Sequence, residues 1–251
     1  MDDWSRQTGH GVRFEWGPVG ADRLAAGVAC LVVVDVLSFT TSVTVAVEAG
    51  TRVHPYRRRD ASAEAFARRM NAALAVGRRA VTDASPWSLS PAALRRAPFA
   101  PRLVLPSPNG SAIAASAAGA TVVAASLRNA TAVGAWLAAS GHGTVDRPVA
   151  VIASGERWPD GGLRPSLEDL LGAGAVIASL RDHGRTALSP EAQAPAAVFT
   201  SAPDVDGAVA ACASGRELIA GGFAEDVAIA AERDASVVVP VLTDGAFAPA
   251  P

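Results

Sequence analysis

The feature that most constrains the fold of this chain is a pattern that occurs three times: a short aliphatic run, a polar turn and a segment of small residues. The aliphatic runs lie at residues 32–34, 103–105 and 149–153, and each is followed by a turn rich in hydroxyl, amide or acidic side chains. Continuous aliphatic runs are typical of strands buried on both faces. The alternation therefore predicts βα units around a mostly parallel sheet that is covered by closely packed helices on both faces.

The chain is long enough and apolar enough for one large domain. It has 251 residues, of which 50% are hydrophobic, and this can bury a sizeable core. We interpret residues 1–251 as a single α/β domain with an excursion over the surface at residues 71–101. A last strand is predicted at residues 237–241, and the tail at residues 245–251 is predicted to be frayed.

The charge composition argues against some classes of binding partner and excludes some catalytic mechanisms. The formal net charge of −2 gives no electrostatic reason to expect binding to nucleic acid or to an anionic membrane. All 22 basic residues are arginine, which excludes a Walker A loop, a Schiff base and any catalytic lysine. Three arginines in a row, at residues 57–59, are interpreted as the solvated start of a helix. No signal peptide is visible and the apolar stretches are interrupted, so we expect a cytoplasmic protein without a membrane span.

A carboxylate, Asp35, directly follows the first aliphatic run, and hydroxyl side chains follow it at positions 38 and 40–42. A charge beside a buried strand is costly unless it is paired, solvated in a cleft or bound to a metal. Asp35 is therefore either a metal ligand or general base, or a cap for the next helix. We favour the first interpretation, because the hydroxyls downstream suffice for capping. Open α/β sheets also bind their ligands at the carboxyl ends of strands, where Asp35 is placed.

Two other turns carry candidate groups. In the turn "SPNGS", Asn109 and Gly110 either bring backbone N–H groups to a phosphate or form a simple turn with Asn109 as the helix cap. The segment "SLED" is a capping-box pattern in which Asp169 reaches back to Ser166. Glu168 is not needed for that box, and an acid at this place is suited to bind Mg²⁺.

Three segments together resemble the ComB family, the 2-phosphosulpholactate phosphatases: "VVVDVLSFTTSV", "LPSPNGSAIA…ASLRNATAVGAWL" and "VIASGERWPDGGLRPSLEDLLGAGAVI". The likeness spans residues 32–240 in the same order. It implies a Mg²⁺-dependent phosphatase with a three-layer α/β/α architecture around a mostly parallel or mixed sheet. The implied substrate is 2-phosphosulpholactate, a small phosphorylated acid, which would yield sulpholactate and phosphate on the route to coenzyme M.

The resemblance also suggests roles for the candidate residues. Asp35, Asn109 and Glu168 are expected to be catalytic, and Mg²⁺ is expected to bind Asp35, Glu168 and Asp169. The expected substrate-binding residues are Thr40, Thr41, Gly110, Ser111, Arg128 and Asn129, the last of which is a helix cap first and a ligand second. The alternative function is a catalytically silent protein that binds small anions on the same fold. The apolar surplus of the chain allows a homodimer.

The chain differs from the family's pattern at two positions where arginine is usual, and holds Ser38 and Ala112 there. A small molecule with several anionic groups is normally held by guanidinium groups. We predict that Arg128 replaces the missing arginines, because the end of its strand is expected beside the acidic turn. Arg157 and Arg164 are further candidates.

Overall fold

A computed structural model describes residues 3–116 and 119–251 of the chain. The strands are β1 (Val12–Trp16), β2 (Cys30–Val34), β3 (Arg52–Tyr56), β4 (Ala73–Leu74), β5 (Arg102–Pro106), β6 (Thr121–Ala125), β7 (Val149–Ala153), β8 (Glu156–Arg157), β9 (Leu163–Arg164), β10 (Pro240–Thr243) and β11 (Ala246–Pro249). Short 3₁₀ helices lie at Trp4–Arg6 and Arg78–Ala80.

The α-helices are α1 (Gly17–Ala25), α2 (Phe39–Glu48), α3 (Ala61–Met70), α4 (Pro91–Arg96), α5 (Gly110–Ser116), α6 (Ala130–Ala139), α7 (Leu167–Asp182), α8 (Pro190–Ser201), α9 (Val205–Ala211), α10 (Ala213–Ala220) and α11 (Ala224–Ala230). The segment predicted to be helical at residues 112–118 is α5 as far as Ser116, and residues 117 and 118 lie outside the described part of the chain. In the described ranges, no helix combines the length and the apolar character that a membrane crossing requires.

The main sheet has strand order β1-β7-β2-β6-β10-β11-β3-β5-β4 and is mixed. Two parallel groups, β1-β7-β2-β6 and β3-β5-β4, lie on either side of the antiparallel hairpin formed by β10 and β11. The hairpin joins each group through one residue pair, Val241 with Val123 on one side and Phe247 with Val53 on the other. The prediction of a mostly parallel or mixed sheet is confirmed.

Two hydrophobic cores, one on each face of the sheet, give the three-layer arrangement. Val32 and Val34 of β2 pack in one core with side chains of α6, α7 and α8. Leu31 and Val33 pack in the other core with side chains of α1, α2 and α5. Because successive residues of a strand face opposite sides, an aliphatic run such as that of β2 fits only between two layers of helices.

The helix layer over β2 lies very close to its neighbours because glycines lie at the contact points. A Cβ atom at Gly174 of α7 would lie 2.2 Å from the main-chain oxygen of Pro195 in α8. A Cβ atom at Gly172 would lie 2.7 Å from Val36, just beyond the end of β2. The prediction that small-residue helices pack closely is confirmed here, and this packing brings the start of α7 to the turn that follows β2.

The prediction of a frayed tail at residues 245–251 is wrong. Strand β11 lies inside the sheet, and Phe247 is fully buried, with its ring 6.3 Å from that of Phe39. Asp244 and Gly245 both have positive φ angles, which is the geometry of a two-residue hairpin turn with an Asp-Gly sequence. The strand predicted at residues 237–241 accordingly starts later, at Pro240, and is the first strand of this hairpin.

The segment at residues 71–101 is packed into the fold more firmly than a surface excursion. Strand β4 pairs with β5 at the edge of the sheet, and α4 packs on α2 and α11. The buried carboxylate of Asp226 in α11 accepts hydrogen bonds from the hydroxyl of Ser90 (2.5 Å) and from the N–H of Ala92 (3.2 Å). These contacts fix the position of the intervening 3₁₀ helix, which carries Arg78.

Candidate active site

Asp35 directly follows β2, and its carboxylate joins the turn after β2 to the turn after β5. The side chain is buried; Oδ1 accepts a hydrogen bond from the N–H of Phe39 (3.0 Å) and Oδ2 accepts one from the N–H of Gly110 (3.0 Å). Burial raises the pKa of Asp35, and the two N–H donors partly oppose this effect. The hydroxyls of Thr40 and Thr41 donate to main-chain oxygens of the same turn, so these residues brace Asp35 and do not stand free for a substrate.

Asp169 joins the turn after β2 to the turn after β7. Its Oδ1 accepts from the N–H of Val36 (2.7 Å), and its Oδ2 accepts from the N–H of Gly155 (2.8 Å) and the hydroxyl of Ser166 (3.0 Å). Asp169 contacts Ser166 as predicted, but the hydroxyl of Ser166 donates to the carboxylate and caps no backbone N–H, so the capping box itself is not formed. Burial, followed by the charges of neighbouring acids, raises the pKa of Asp169 well above its usual range. Three protein donors hold the two oxygens of Asp169, one more than at Asp35, so this side chain joins the turns structurally. Its assignment as a Mg²⁺ ligand stays a prediction.

Glu156, at the start of β8, is a site residue that the sequence analysis missed. Its Oε2 accepts from the side-chain amide of Asn109 (3.2 Å). Burial raises the pKa of Glu156 to about 7, and the charges of Asp35 and Glu168 contribute to this rise. Glu168 is itself buried and accepts a hydrogen bond from the thiol of Cys212 (3.2 Å). Asp35, Glu156 and Glu168 thus form an acidic cluster in which each member is close enough to influence another electrostatically.

A cleft of about 500 Å³ lies on one side of this acidic cluster and is lined by three arginines, Arg59, Arg78 and Arg79. Glu156 and Leu37 belong to the same lining, so the cleft begins at the acidic cluster and at the turn after β2. We call this cavity the arginine cleft. Residues 57–59 are exposed just before α3, as interpreted, and Arg59 in addition lines this cleft.

Of the site residues that the sequence analysis missed, Glu156 alone had a weak sequence signal. Glu156 lies three residues after the end of β7, at the sheet edge where folds of this type place polar groups. The arginines of the cleft had no comparable signal, because Arg59 and the adjacent pair Arg78 and Arg79 obey no spacing rule.

Three predicted substrate-binding residues are engaged in other contacts. Arg128 is buried, and its guanidinium donates to Glu232 and to Glu48 (3.2 Å), which corrects its prediction as the missing substrate-binding arginine. The side-chain amide of Asn129 accepts from the N–H of Ser126 (2.9 Å) and donates to the main-chain oxygen of Val238 (3.0 Å). Ser111 donates to the main-chain oxygens of Tyr56 (2.8 Å) and Ser107. The turns after β2, β5 and β7 therefore meet as predicted, whereas the turn after β6 is held elsewhere.

Replacing Arg128 with alanine should lower the free energy of unfolding by about 1–3 kcal/mol, because the change removes buried charge-assisted hydrogen bonds. The affinity for phosphate should stay unchanged, because the guanidinium is already engaged by two carboxylates. Arg95→Ala is a matched control, since Arg95 binds the same Glu232 from a side chain that is 39% exposed, and its loss should cost less. Urea unfolding and calorimetric phosphate titration measure both quantities. A weaker phosphate affinity in Arg128→Ala would contradict this assignment.

The model of one protein family, 2-phosphosulpholactate phosphatase, matches residues 21–245. The chain belongs to this family. The family consists of phosphoric monoester hydrolases, so the resemblance found in the sequence is confirmed. A search of curated proteins found no match. In this family member, the residues that surround the arginine cleft and the acidic cluster lie within the matched range.

The acidic cluster of this phosphatase family member has the donor chemistry of a magnesium site. Mg²⁺ prefers oxygen ligands and is commonly bound by one or two carboxylates, and Asp35, Glu156 and Glu168 supply such ligands. Burial raises the pKa of Glu156, and the charges of Asp35 and Glu168 add to this rise, so a bound cation would relieve repulsion among these acids. Between residues 3 and 116 and from 119 onward, no group of three or more His, Cys, Asp or Glu side chains is already arranged around one metal position. The carboxylate oxygens are of the kind that Mg²⁺ prefers, but the described side chains do not surround one metal position.

The raised pKa of Glu156 predicts that the metal-free protein loses stability as the pH rises. The folded state holds a proton on Glu156 up to about pH 7, whereas the unfolded state releases it near the ordinary value of 4.5. The free energy of unfolding should therefore fall between about pH 5 and pH 7 and level off above. Urea unfolding in EDTA across this range tests the sign, and Glu156→Gln should flatten the curve. The same pH slope in Glu156→Gln as in the unmodified protein would contradict the assignment, because all other titrating groups are common to the two proteins.

Proposed function

We propose that this chain is a Mg²⁺-dependent phosphatase that hydrolyses 2-phosphosulpholactate or a closely related small phosphorylated acid. The observation that supports this proposal is the junction of two opposite environments at Glu156: a buried acidic cluster on one side and a cleft lined by three arginines on the other. An anionic phosphate ester needs both of them. The arginines of the cleft attract the negative charge of the ester. The acidic cluster offers ligands for a cation beside the phosphoryl group.

Asp35, Glu156 and Glu168 are the residues that would hold Mg²⁺ in this proposal. When bound, the cation neutralises charge on phosphoryl oxygens and lowers the pKa of a coordinated water. Asp35 contributes a fixed orientation, because two backbone N–H groups hold its carboxylate from different turns. A ligand that is already oriented needs little rearrangement as charge develops in the transition state.

In this proposal Asn109 orients one carboxylate of the acidic cluster. Its side-chain NH₂ group donates to Glu156 and fixes that carboxylate relative to the turn after β5. Gly110, by contrast, uses its N–H on Asp35 and is therefore a support of the carboxylate. Asn109 is expected to orient Glu156, whereas Gly110 is expected to orient Asp35, and the positive charges come from the arginine cleft.

Phosphate release from 2-phosphosulpholactate, measured with Mg²⁺ and with EDTA, is the direct test. We expect turnover with Mg²⁺ and its loss in EDTA, with recovery when Mg²⁺ is restored. The absence of release from 2-phosphosulpholactate and from a panel of phosphorylated hydroxy acids, with well-folded protein and Mg²⁺ present, would reject the proposal.

A catalytically silent anion-binding protein on the same fold is the second candidate. One observation favours it: the described carboxylates are not arranged around one metal position, although the arginine cleft is fully formed. Calorimetric titration with 2-phosphosulpholactate separates the two functions. Tight binding without turnover at any Mg²⁺ concentration supports the silent protein, and turnover excludes it.

A further inference from the structure

Arg78 is held in one orientation by contacts that leave part of its guanidinium available. Its Nε–H donates to Asp226 (2.9 Å) and its Nη2 donates to the hydroxyl of Ser38 (2.6 Å). The guanidinium carbon lies 5.6 Å from the centre of the Phe223 ring. A guanidinium has five N–H donors in a rigid fork, so these two hydrogen bonds leave further donors for a ligand.

The partner of Arg78 is itself fixed. Asp226 is buried, with 1% of its side chain exposed, and it also accepts from Ser90 and from the N–H of Ala92. The side chain of Arg78 is 18% exposed and lines the arginine cleft. An arginine anchored by a buried acid on one edge, and open to a cleft on the other, is pre-organised to bind an anion with little loss of side-chain entropy.

A second guanidinium lies close to the first. Desolvation, and next the charge of Arg78, lower the pKa of Arg59. Arg59 makes one long hydrogen bond, from Nε to the main-chain oxygen of Pro106 (3.4 Å), and it lines the same cleft. Glu217, the other acid of the lining besides Glu156, is already bound by both terminal nitrogens of Arg164. Arg78 shares its charge with one buried carboxylate, and Arg59 has no ion pair among the described residues, so the two neighbouring cations favour an anionic ligand between them.

This pair of arginines lies next to the acidic cluster without belonging to it. Ser38, which holds Arg78, is three residues after Asp35, and the charge of Arg78 acts on the Asp35 carboxyl. We propose that Arg59 and Arg78 form a subsite for a second anionic group, a carboxylate or sulfonate, carried by the same small molecule whose phosphate lies at the acidic cluster. This inference rests on the proposed function. It assigns the selectivity of the enzyme for a phosphorylated acid, over an uncharged phosphate ester, to these two residues.

Steady-state kinetics with two substrates test the subsite. The variants are Arg78→Ala and Arg59→Ala, and Arg58→Ala is the matched control because it is an exposed neighbour outside the cleft lining. The value of kcat/KM for 2-phosphosulpholactate should fall by ~10- to 100-fold in each cleft variant, as expected for losing charge-assisted hydrogen bonds. For isopropyl phosphate, which lacks a second acid, it should change less than about twofold. An equal fall for both substrates would place the arginines on the phosphoryl group and overturn the proposal.

Binding of sulpholactate, which carries the carboxylate and the sulfonate but no phosphate, tests the subsite without turnover. Calorimetric titration should show binding to the unmodified protein, a loss of ~10-fold or more in both cleft variants, and no change in Arg58→Ala. Arg59→Ala keeps the pair of Arg78 with Asp226, so it answers the question even where Arg78→Ala unfolds. Unchanged sulpholactate affinity in Arg59→Ala would overturn the subsite. A protein that binds sulpholactate through these arginines but releases no phosphate would refute the proposed function and keep the subsite.

Discussion

Replacing Asp35 with asparagine should lower kcat/KM for phosphate release by about 10³-fold, equivalent to ~4 kcal/mol of transition-state stabilisation. Asp35 is the member of the acidic cluster with the most defined orientation, since its two oxygens accept from Phe39 and Gly110. Asparagine removes its negative charge, and its NH₂ group would oppose one of those N–H donors. The turn after β2 would then lose its hydrogen bond to the turn after β5.

The same loss carries a structural cost that the experiment must separate from catalysis. One unpaired buried N–H group is expected to cost about 1–3 kcal/mol of stability, so activity should be measured at a temperature where circular dichroism shows the variant folded. Asp160→Asn is a matched control, because Asp160 is exposed and accepts a hydrogen bond from the N–H of Gly162 in the hairpin of β8 and β9. The control should keep its activity. An Asp35→Asn enzyme within tenfold of the unmodified protein would remove Asp35 from the chemistry.

The sequence was informative where local pattern and topology agree. The run Leu31–Val34 has apolar side chains on both faces of a strand, which only a two-sided sheet satisfies, and the acid after it must then lie at the sheet edge. The same rule placed the turns after β5 and β7 beside it, and the structure joins all three through Asp35 and Asp169. The capping-box pattern also predicted that Ser166 and Asp169 meet, although they do so through their side chains and without a capping hydrogen bond.

Ion pairs between residues far apart in the chain determine which arginines belong to the site, and local sequence patterns do not predict such pairs. Arg128 follows a strand next to β2, and local reasoning placed it at the site, but Glu48 and Glu232 bind it from distant parts of the chain. Arg78 shows the opposite case. It lies in a segment without periodicity, and its function as a site residue depends on Asp226, 148 positions away. Such pairs have no signature in one sequence, because neither partner is marked by spacing or composition.

The C-terminal hairpin was missed for a different reason. The Asp244-Gly245 pair between two short apolar segments is a hairpin signal, and both residues adopt the positive φ that this turn requires. Chain ends commonly fray, and this general tendency underlies the prediction of a frayed tail. In the folded protein the Asp-Gly turn prevails and holds the end of the chain in the sheet. The wrong prediction for the C-terminal tail affects the predicted sheet and leaves the predicted site unchanged. In the structure, β10 and β11 join the two parallel groups of strands.

Asp169 differs from the other acids because its contacts hold the site together. Three donors from three separate places converge on it: the N–H of Val36 after β2, the N–H of Gly155 after β7, and the hydroxyl of Ser166 before α7. Asp169 is only 3% exposed, so bulk solvent has little access to these donors. Removing the carboxylate therefore leaves buried donors without partners, and each of them costs about 1–3 kcal/mol.

Replacing Asp169 with alanine should consequently lower the free energy of unfolding by about 3–5 kcal/mol, a loss that only a few kinds of single substitution produce. The relief of repulsion with the neighbouring acids, which raise the pKa of Asp169, offsets part of the lost hydrogen bonding and sets the upper end of this range. Asp182→Ala is the matched control on the same helix, since that side chain is 71% exposed, and it should change stability by less than about 0.5 kcal/mol. Urea unfolding of both variants measures the difference. A loss below about 1 kcal/mol in Asp169→Ala, together with weaker Mg²⁺ binding by calorimetry, would return Asp169 to the metal ligands and remove it from the structural framework.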